Sequence, residues 1–264
     1  MGSPKAILQG IVQRLLPSPF TDDRESDKPI RFGRYGEPII AFAAPTRHQM
    51  SEEGTYVVVT NPTIGTGMLW VAAQTAFSDT APNFIIQNLE NAANPSAKLL
   101  YLDYLKLITT AAATTATAFH YAVKIDNALR TPTTDHTTNN TGALIPVNAN
   151  MNVSGLPGNL AVMAQNSATV SVIPAASSAA RIVGRGCVGG LNVVGDEVLI
   201  VFGATDAGAQ SATTAAEGTG QPGRRVSSSP PVIIGPQQSA VIYCWLPGSA
   251  ASPAPEFELG LWMR

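Results

Sequence analysis

The sequence has 264 residues, 45% of them hydrophobic and only 13% charged, with 16 Lys and Arg against 18 Asp and Glu. That is about half the roughly 25% charge of soluble domains, so Thr, Ser, Asn and Gln must supply most of the polar surface, and few charges oppose association of like chains. The balance excludes the basic stripe that wrapping nucleic acid requires, and no apolar run reaches the roughly 18 to 20 residues of a membrane span.

Residues 3–16 are predicted as a helix. Ser3 caps it, Pro4 fits the first helical position, and Ile7, Leu8, Ile11, Val12, Leu15 and Leu16 recur at helical spacing until Pro17 ends the run. Its apolar residues are spaced and do not read as a secretion signal. One short amphipathic helix cannot bury its stripe alone, so it either folds onto its own domain or docks on a neighbouring subunit. Lys5 and Arg14 give too little attraction for a membrane-surface helix. Residues 17–36 follow as a hydrophilic, Pro-containing tether. Residues 1–36 thus form an arm, and residues 37–264 a body. Arg31, Arg34 and Glu37 stand where the two meet, as local ion pairs or as contacts to a neighbour.

The body reads as strands and loops. Phe119-His-Tyr-Ala-Val-Lys-Ile-Asp126 alternates, with Phe119, Tyr121, Val123 and Ile125 on one face. Phe257, Leu259, Leu261 and Met263 alternate in the same way near the C-terminus. Further strands are expected at residues 55–60, 84–86, 169–173, 198–202, 232–234 and 240–245. Residues 99–108 are ambiguous in period; Pro95 before them and Thr109 and Thr110 after them favour a strand. Two long loops are expected, Asn127 to Gly142 and Gly203 to Ser229. Eight or more strands without a βαβ rhythm predict an all-β body, a jelly-roll-like β-sandwich with a short N-terminal helical arm. Tyr121, Val123, Val198, Ile200, Val241 and Leu259 are the expected core.

Reactive groupings are sparse. The three histidines, His48, His120 and His136, have no ligand spacing, and His120 reads as a polar residue on a wet strand face. Cys187 and Cys244 fall in separate strands and read best as two buried free thiols, with a disulfide as the alternative. Gly184-Arg-Gly-Cys-Val-Gly189 matches a dinucleotide-binding string, but β-favouring residues follow it where a helix is needed. It therefore reads as a glycine-rich turn. Gly65-Thr-Gly67 lacks the rest of a phosphate loop. Asp103, Asp126 and Glu256 are candidate carboxylates for glycoside hydrolysis only by lying near strands; ion pairs or a solvated face account for them as well. Asn139-Asn-Thr141 and Asn152-Val-Ser154 fit the glycosylation pattern, which without a signal peptide reads as chance. The expectation is a protein with no catalysis, no cofactor and no metal.

Arg31-Phe-Gly-Arg-Tyr-Gly-Glu37, Thr60-Asn-Pro-Thr-Ile-Gly-Thr-Gly67, Tyr101-Leu-Asp-Tyr104 and Glu256-Phe-Glu-Leu-Gly260 resemble stretches of a family of uncharacterised virion structural proteins of tailed bacteriophages. The resemblance spans the body from about Arg31 onward and implies a virion component, assembled in the host cytoplasm, with no functional residue to carry over. Lacking the long helix and extended hairpin of a tailed-phage shell protein, the chain is expected to be a capsid decoration or cement protein, or a tail or fibre adaptor. One alternative is the single jelly-roll major capsid protein of a tailless virus. Another is a carbohydrate-binding β-sandwich, which would need an aromatic platform from Trp70, Trp245 or Trp262. The expected partners are copies of itself and other virion proteins, with no specific nucleic acid and no membrane. A homo-oligomer is expected, a trimer by preference, joined partly through Ile7, Leu8, Ile11, Val12, Leu15, Leu16, Arg31 and Arg34.

Overall fold

The computed structural model describes residues 47–70, 74–112, 118–131, 136–139, 143–153, 159–167, 173–174, 176–189, 191, 193–203, 211–212, 224–248 and 253–264. The expected arm at residues 1–36, with Ile7, Leu8, Ile11, Val12, Leu15, Leu16, Arg31 and Arg34, lies outside them. So do Glu37 and most of the strand expected at residues 169–173.

The described chain is nearly all β, as its strand-favouring alternation requires. One short helix, α1 (Arg47–Glu52), precedes fourteen strands. These are β1 (Tyr56–Thr60), β2 (Phe84–Asn88), β3 (Leu100–Ala111), β4 (Phe119–Asp126), β5 (His136–Thr138), β6 (Ile145–Asn148) and β7 (Leu160–Gln165). They continue as β8 (Arg181–Val188), β9 (Glu197–Phe202), β10 (Ser211–Ala212), β11 (Arg224–Ser229), β12 (Ile233–Ile234), β13 (Ser239–Trp245) and β14 (Ala254–Met263). The ambiguous stretch is strand β3, whose even-numbered start, Leu100 and Leu102, is buried while Tyr101 is half-buried.

The strands make two sheets. Sheet one runs β10-β11-β9-β3-β14-β1-β6, with β12 added to β3; sheet two runs β5-β7-β2-β13-β4-β8. Four pairings are nested in chain order: β1 with β14, β2 with β13, β3 with β9 and β4 with β8, all antiparallel. Two more antiparallel pairings, β14 with β3 and β13 with β4, stitch these pairs into the sheets.

One apolar core fills the space between the layers. Sheet one contributes Val57, Val59, Leu105, Leu107, Val198, Ile200 and Leu259, and sheet two Phe84, Phe119, Tyr121, Val123 and Ile242. Phe84 meets Phe257 across the layers, ring centroids 5.1 Å apart, and Trp70 lies against both Phe84 and Phe119. Tyr121 is fully buried, and its hydroxyl is satisfied by Ser227 Oγ at 2.8 Å and the Ser228 carbonyl at 3.1 Å. All six expected core residues are buried, but Val241 belongs to a second cluster with Ile85, Ala161, Met163, Ile173 and Tyr243. That cluster lies on the other face of sheet two. The central strands of this sheet are therefore apolar on both faces, and β2 and β7 are buried throughout.

Several loop expectations are corrected. Strand β5 interrupts the first long loop, and β10 and β11 interrupt the second. Strand β11 is polar, Arg224-Arg-Val-Ser-Ser-Ser229, and runs parallel to β9. The glycine string at 184–189 is not a turn: Gly184 and Gly186 lie within β8. A Cβ on Gly186 would come 2.4 Å from Tyr121 Cε1, and one on Gly184 would come 2.2 Å from Ser229 Oγ. These glycines let β8 approach the buried tyrosine and strand β11. Gly67 has a similar reason: its Cβ would lie 2.1 Å from the Ala254 carbonyl oxygen, beside the 2.9 Å bond from Met68 N to the Pro255 carbonyl.

Candidate functional site

The described residues place two groupings of functional side chains on the sandwich. The first is structural. A register shift between Gly260 and Leu261 leaves Asp103 as the extra residue on β3, and such a bulge re-aims its side chain. Asp103 accepts two bonds from Arg47, Nε at 2.6 Å and Nη2 at 2.8 Å, and one from the Tyr56 hydroxyl at 2.5 Å. Burial, then the bond to Asp103, pushes the Tyr56 phenol far up, so it stays a donor. Bidentate pairing of this kind fixes geometry as well as energy. Asp103 thereby clamps α1 to sheet one.

Asp126 is likewise engaged in structure. It is buried, 3.0 Å from Arg130 Nη1, and accepts from Ser177 N at 3.0 Å and Ser177 Oγ at 2.5 Å. Asn139, in the apparent glycosylation pattern, is buried; its side chain donates to the Leu160 carbonyl and accepts from Val162 N.

The second grouping is a surface concavity of about 510 Å³ on the outer face of sheet two, near its β8 edge. Its floor follows from strand register. Trp245 of β13 is opposite His120 of β4, and His120 is opposite Cys187 of β8. The indole and imidazole stack at 5.5 Å with 19° between planes, and Cys187 Sγ lies 3.5 Å from His120 Nε2. Phe77 stands edge-on to Trp245 at 5.8 Å and to Tyr243 at 4.9 Å. Ile182 and Arg185 complete the rim, both exposed.

Phe77 is held in place by its neighbour Asp79, which accepts from Lys124 Nζ at 2.7 Å and from the Tyr243 hydroxyl at 3.1 Å. Burial would raise the Asp79 carboxyl, but the Lys124 ammonium, with the bonds from the Tyr243 hydroxyl and the Ala176 backbone, holds it below the usual range. The concavity can therefore receive an apolar side chain against its three rings, with the Arg185 guanidinium free to meet an anionic group at the rim. Arg185 makes no ion pair among the described residues.

His120 is thus not simply a polar group on a wet face; it is a ring of this floor. Cys187 corrects another expectation. Both cysteines are free, but only Cys244 is buried, because Cys187 points outward from an edge strand. Burial pushes the Cys244 thiol far up. One thiol per chain should react with an aromatic disulfide reagent in the native protein and two after denaturation; two reactive thiols in the folded state would contradict the burial of Cys244. Of the tryptophans, Trp70 is in the core, Trp262 stacks on Tyr101 at 3.8 Å, and Trp245 reaches the concavity.

The sequence reading missed this surface because its members come from four separate segments. One local signal was available: Arg185 and Cys187 alternate with Gly184, Gly186 and Val188, the pattern of a strand with one bare face. Among the described residues no group of three or more His, Cys, Asp or Glu side chains is placed to hold a metal ion, and no helix is long and apolar enough to cross a membrane. No protein-family model, curated protein or solved structure matches this chain.

Proposed function

We propose that the two sheets wind into a jelly roll and that the chain is a structural component of a bacteriophage virion, without catalysis and acting through protein–protein contacts. Its role is that of a capsid decoration or cement protein, or of a tail or fibre adaptor. The nested pairing of the strands carries this reading. The pairings of β1 with β14, β2 with β13, β3 with β9 and β4 with β8, joined where β14 meets β3 and β13 meets β4, support a hairpin rolled up in the jelly-roll manner. That architecture recurs in viral shells and lectin domains, and a fold alone does not set a function. The surface adds the second support: few charges, and apolar side chains left in water, Met151 99% exposed, Ile64 90% and Val194 60%. The same strand order favours the shell protein of a tailless virus as the second reading, since a single jelly roll tiles a shell through its edges and loops.

The test is sedimentation velocity on the purified full chain, with negative-stain images of the fastest species. Closed rings, trimers or shells are expected. A chain that stays monomeric at all concentrations, or that binds oligosaccharides on a glycan array without self-associating, would overturn the reading.

A further inference from the structure

We propose that copies of this chain join head to tail, a knob carrying Met151 on one copy entering the concavity rimmed by Arg185 on the next. The inference rests on reading the chain as a self-assembling particle component and names the contact.

The knob is a built feature. After β6, Asn148 Oδ1 accepts from Asn150 N at 2.8 Å, and Asn150 Oδ1 accepts from Asn152 N at 2.9 Å. Two side-chain bonds tie this turn to the end of α1: Asn148 Nδ2 donates to the Gly54 carbonyl at 2.8 Å and Asn150 Nδ2 to the Glu52 carbonyl at 3.0 Å. The turn is therefore held before any partner arrives, and it presents Met151 wholly to water. Little further ordering is needed on binding, which favours affinity. Glu52 is exposed beside it and makes no ion pair among the described residues.

The concavity answers both properties of the knob. A thioether gains from contact with aromatic rings and adapts to an irregular space, and Phe77, His120 and Trp245 supply the rings. The rim carries Arg185, also without an ion pair, and Arg181 is exposed on the same strand. An acidic knob thus faces a basic rim. The two surfaces are far apart. Met151 lies beyond β6, one edge of sheet one, whereas the concavity lies at the β8 edge of sheet two. Strand β8 packs against β11, near the opposite edge of sheet one. A contact between two different surfaces is heterologous, so it repeats from copy to copy and closes a ring when the rotation allows.

The native Cys187 in the concavity provides the test. A full chain carrying Met151→Cys and Cys187→Ser is mixed with the unaltered chain under oxidised glutathione. An interchain disulfide between position 151 of one chain and Cys187 of the other is expected, identified by peptide mass spectrometry. Glu52→Arg and Arg185→Glu should each weaken self-association by about fivefold, the scale of one rim ion pair, and the double variant should recover it. If the unaltered chain assembles but no such disulfide forms and the charge variants assemble normally, the knob contact is wrong while the virion reading stands. If the unaltered chain is monomeric throughout, both fall.

Discussion

Replacing Arg130 with alanine is expected to cost about 3 to 5 kcal/mol, because it leaves the buried Asp126 carboxylate without its counter-charge. Both side chains are almost completely enclosed, 3% and 1% exposed. Arg130 also closes the loop after β4: its Nη2 donates to the Pro174 carbonyl and its backbone N to Gln87 Oε1 at 2.5 Å. Burial would raise the Asp126 carboxyl, but the bonds from Ser177 and the Arg130 guanidinium hold it below the usual carboxylate range. A depressed folded value gives stability that is present above the ordinary aspartate value of about 3.9 and is lost as pH falls through the folded value. In Arg130→Ala the lone carboxylate takes up a proton more readily, so the difference from the unaltered chain should shrink on acidification. Urea unfolding at neutral pH and near pH 4 checks both points. A constant difference across that range would show that the charge pair is not the cause.

Phe84→Ala should have an effect of similar size, about 3 to 5 kcal/mol, from lost burial and the cavity left behind. Phe84 is 1% exposed and touches Trp70 from the β1–β2 connection and Phe257 from the opposite sheet. The loss should appear as one cooperative transition at lower denaturant, with the slope unchanged, since the ring belongs to the core shared by both layers. Two separated transitions would mean that the sheets unfold as independent bodies.

How much of this was legible in the sequence depends on where each strand sits. Strand β4 was readable from its alternation, and β14 likewise, because one face of each meets the common core. Strand β7, Leu160-Ala-Val-Met-Ala-Gln165, gave no alternation to read, being buried on both faces. Strand β8 is legible only in part, Cys187 reading as strand and its glycines as a turn, and β11 reads as loop. In β8, Gly184 and Gly186 interrupt the apolar residues Ile182, Val183, Cys187 and Val188, while β11 has Val226 as its one apolar residue and lays Ser227 against Tyr121. The concavity was illegible for a further reason. His120, Cys187 and Trp245 become neighbours only through the pairing register, and Phe77 joins them from the β1–β2 connection, neither of which single-strand patterns specify.

The nesting of first strand with last also sets a clock on synthesis. Asn61, just after β1, receives the Phe257 amide 196 positions further along the chain. At roughly 5 to 20 residues per second, a ribosome needs about 10 to 40 s to cover that interval. During this time Val57 and Val59 have no β14 to lie beside, and such long-range pairing is intrinsically slow to form. Strand β13, which brings Trp245 to the concavity, also emerges late. A nascent chain therefore cannot offer a finished receiving surface to its neighbours on the same polysome, and growth of an assembly from half-made subunits is discouraged by the order of translation itself.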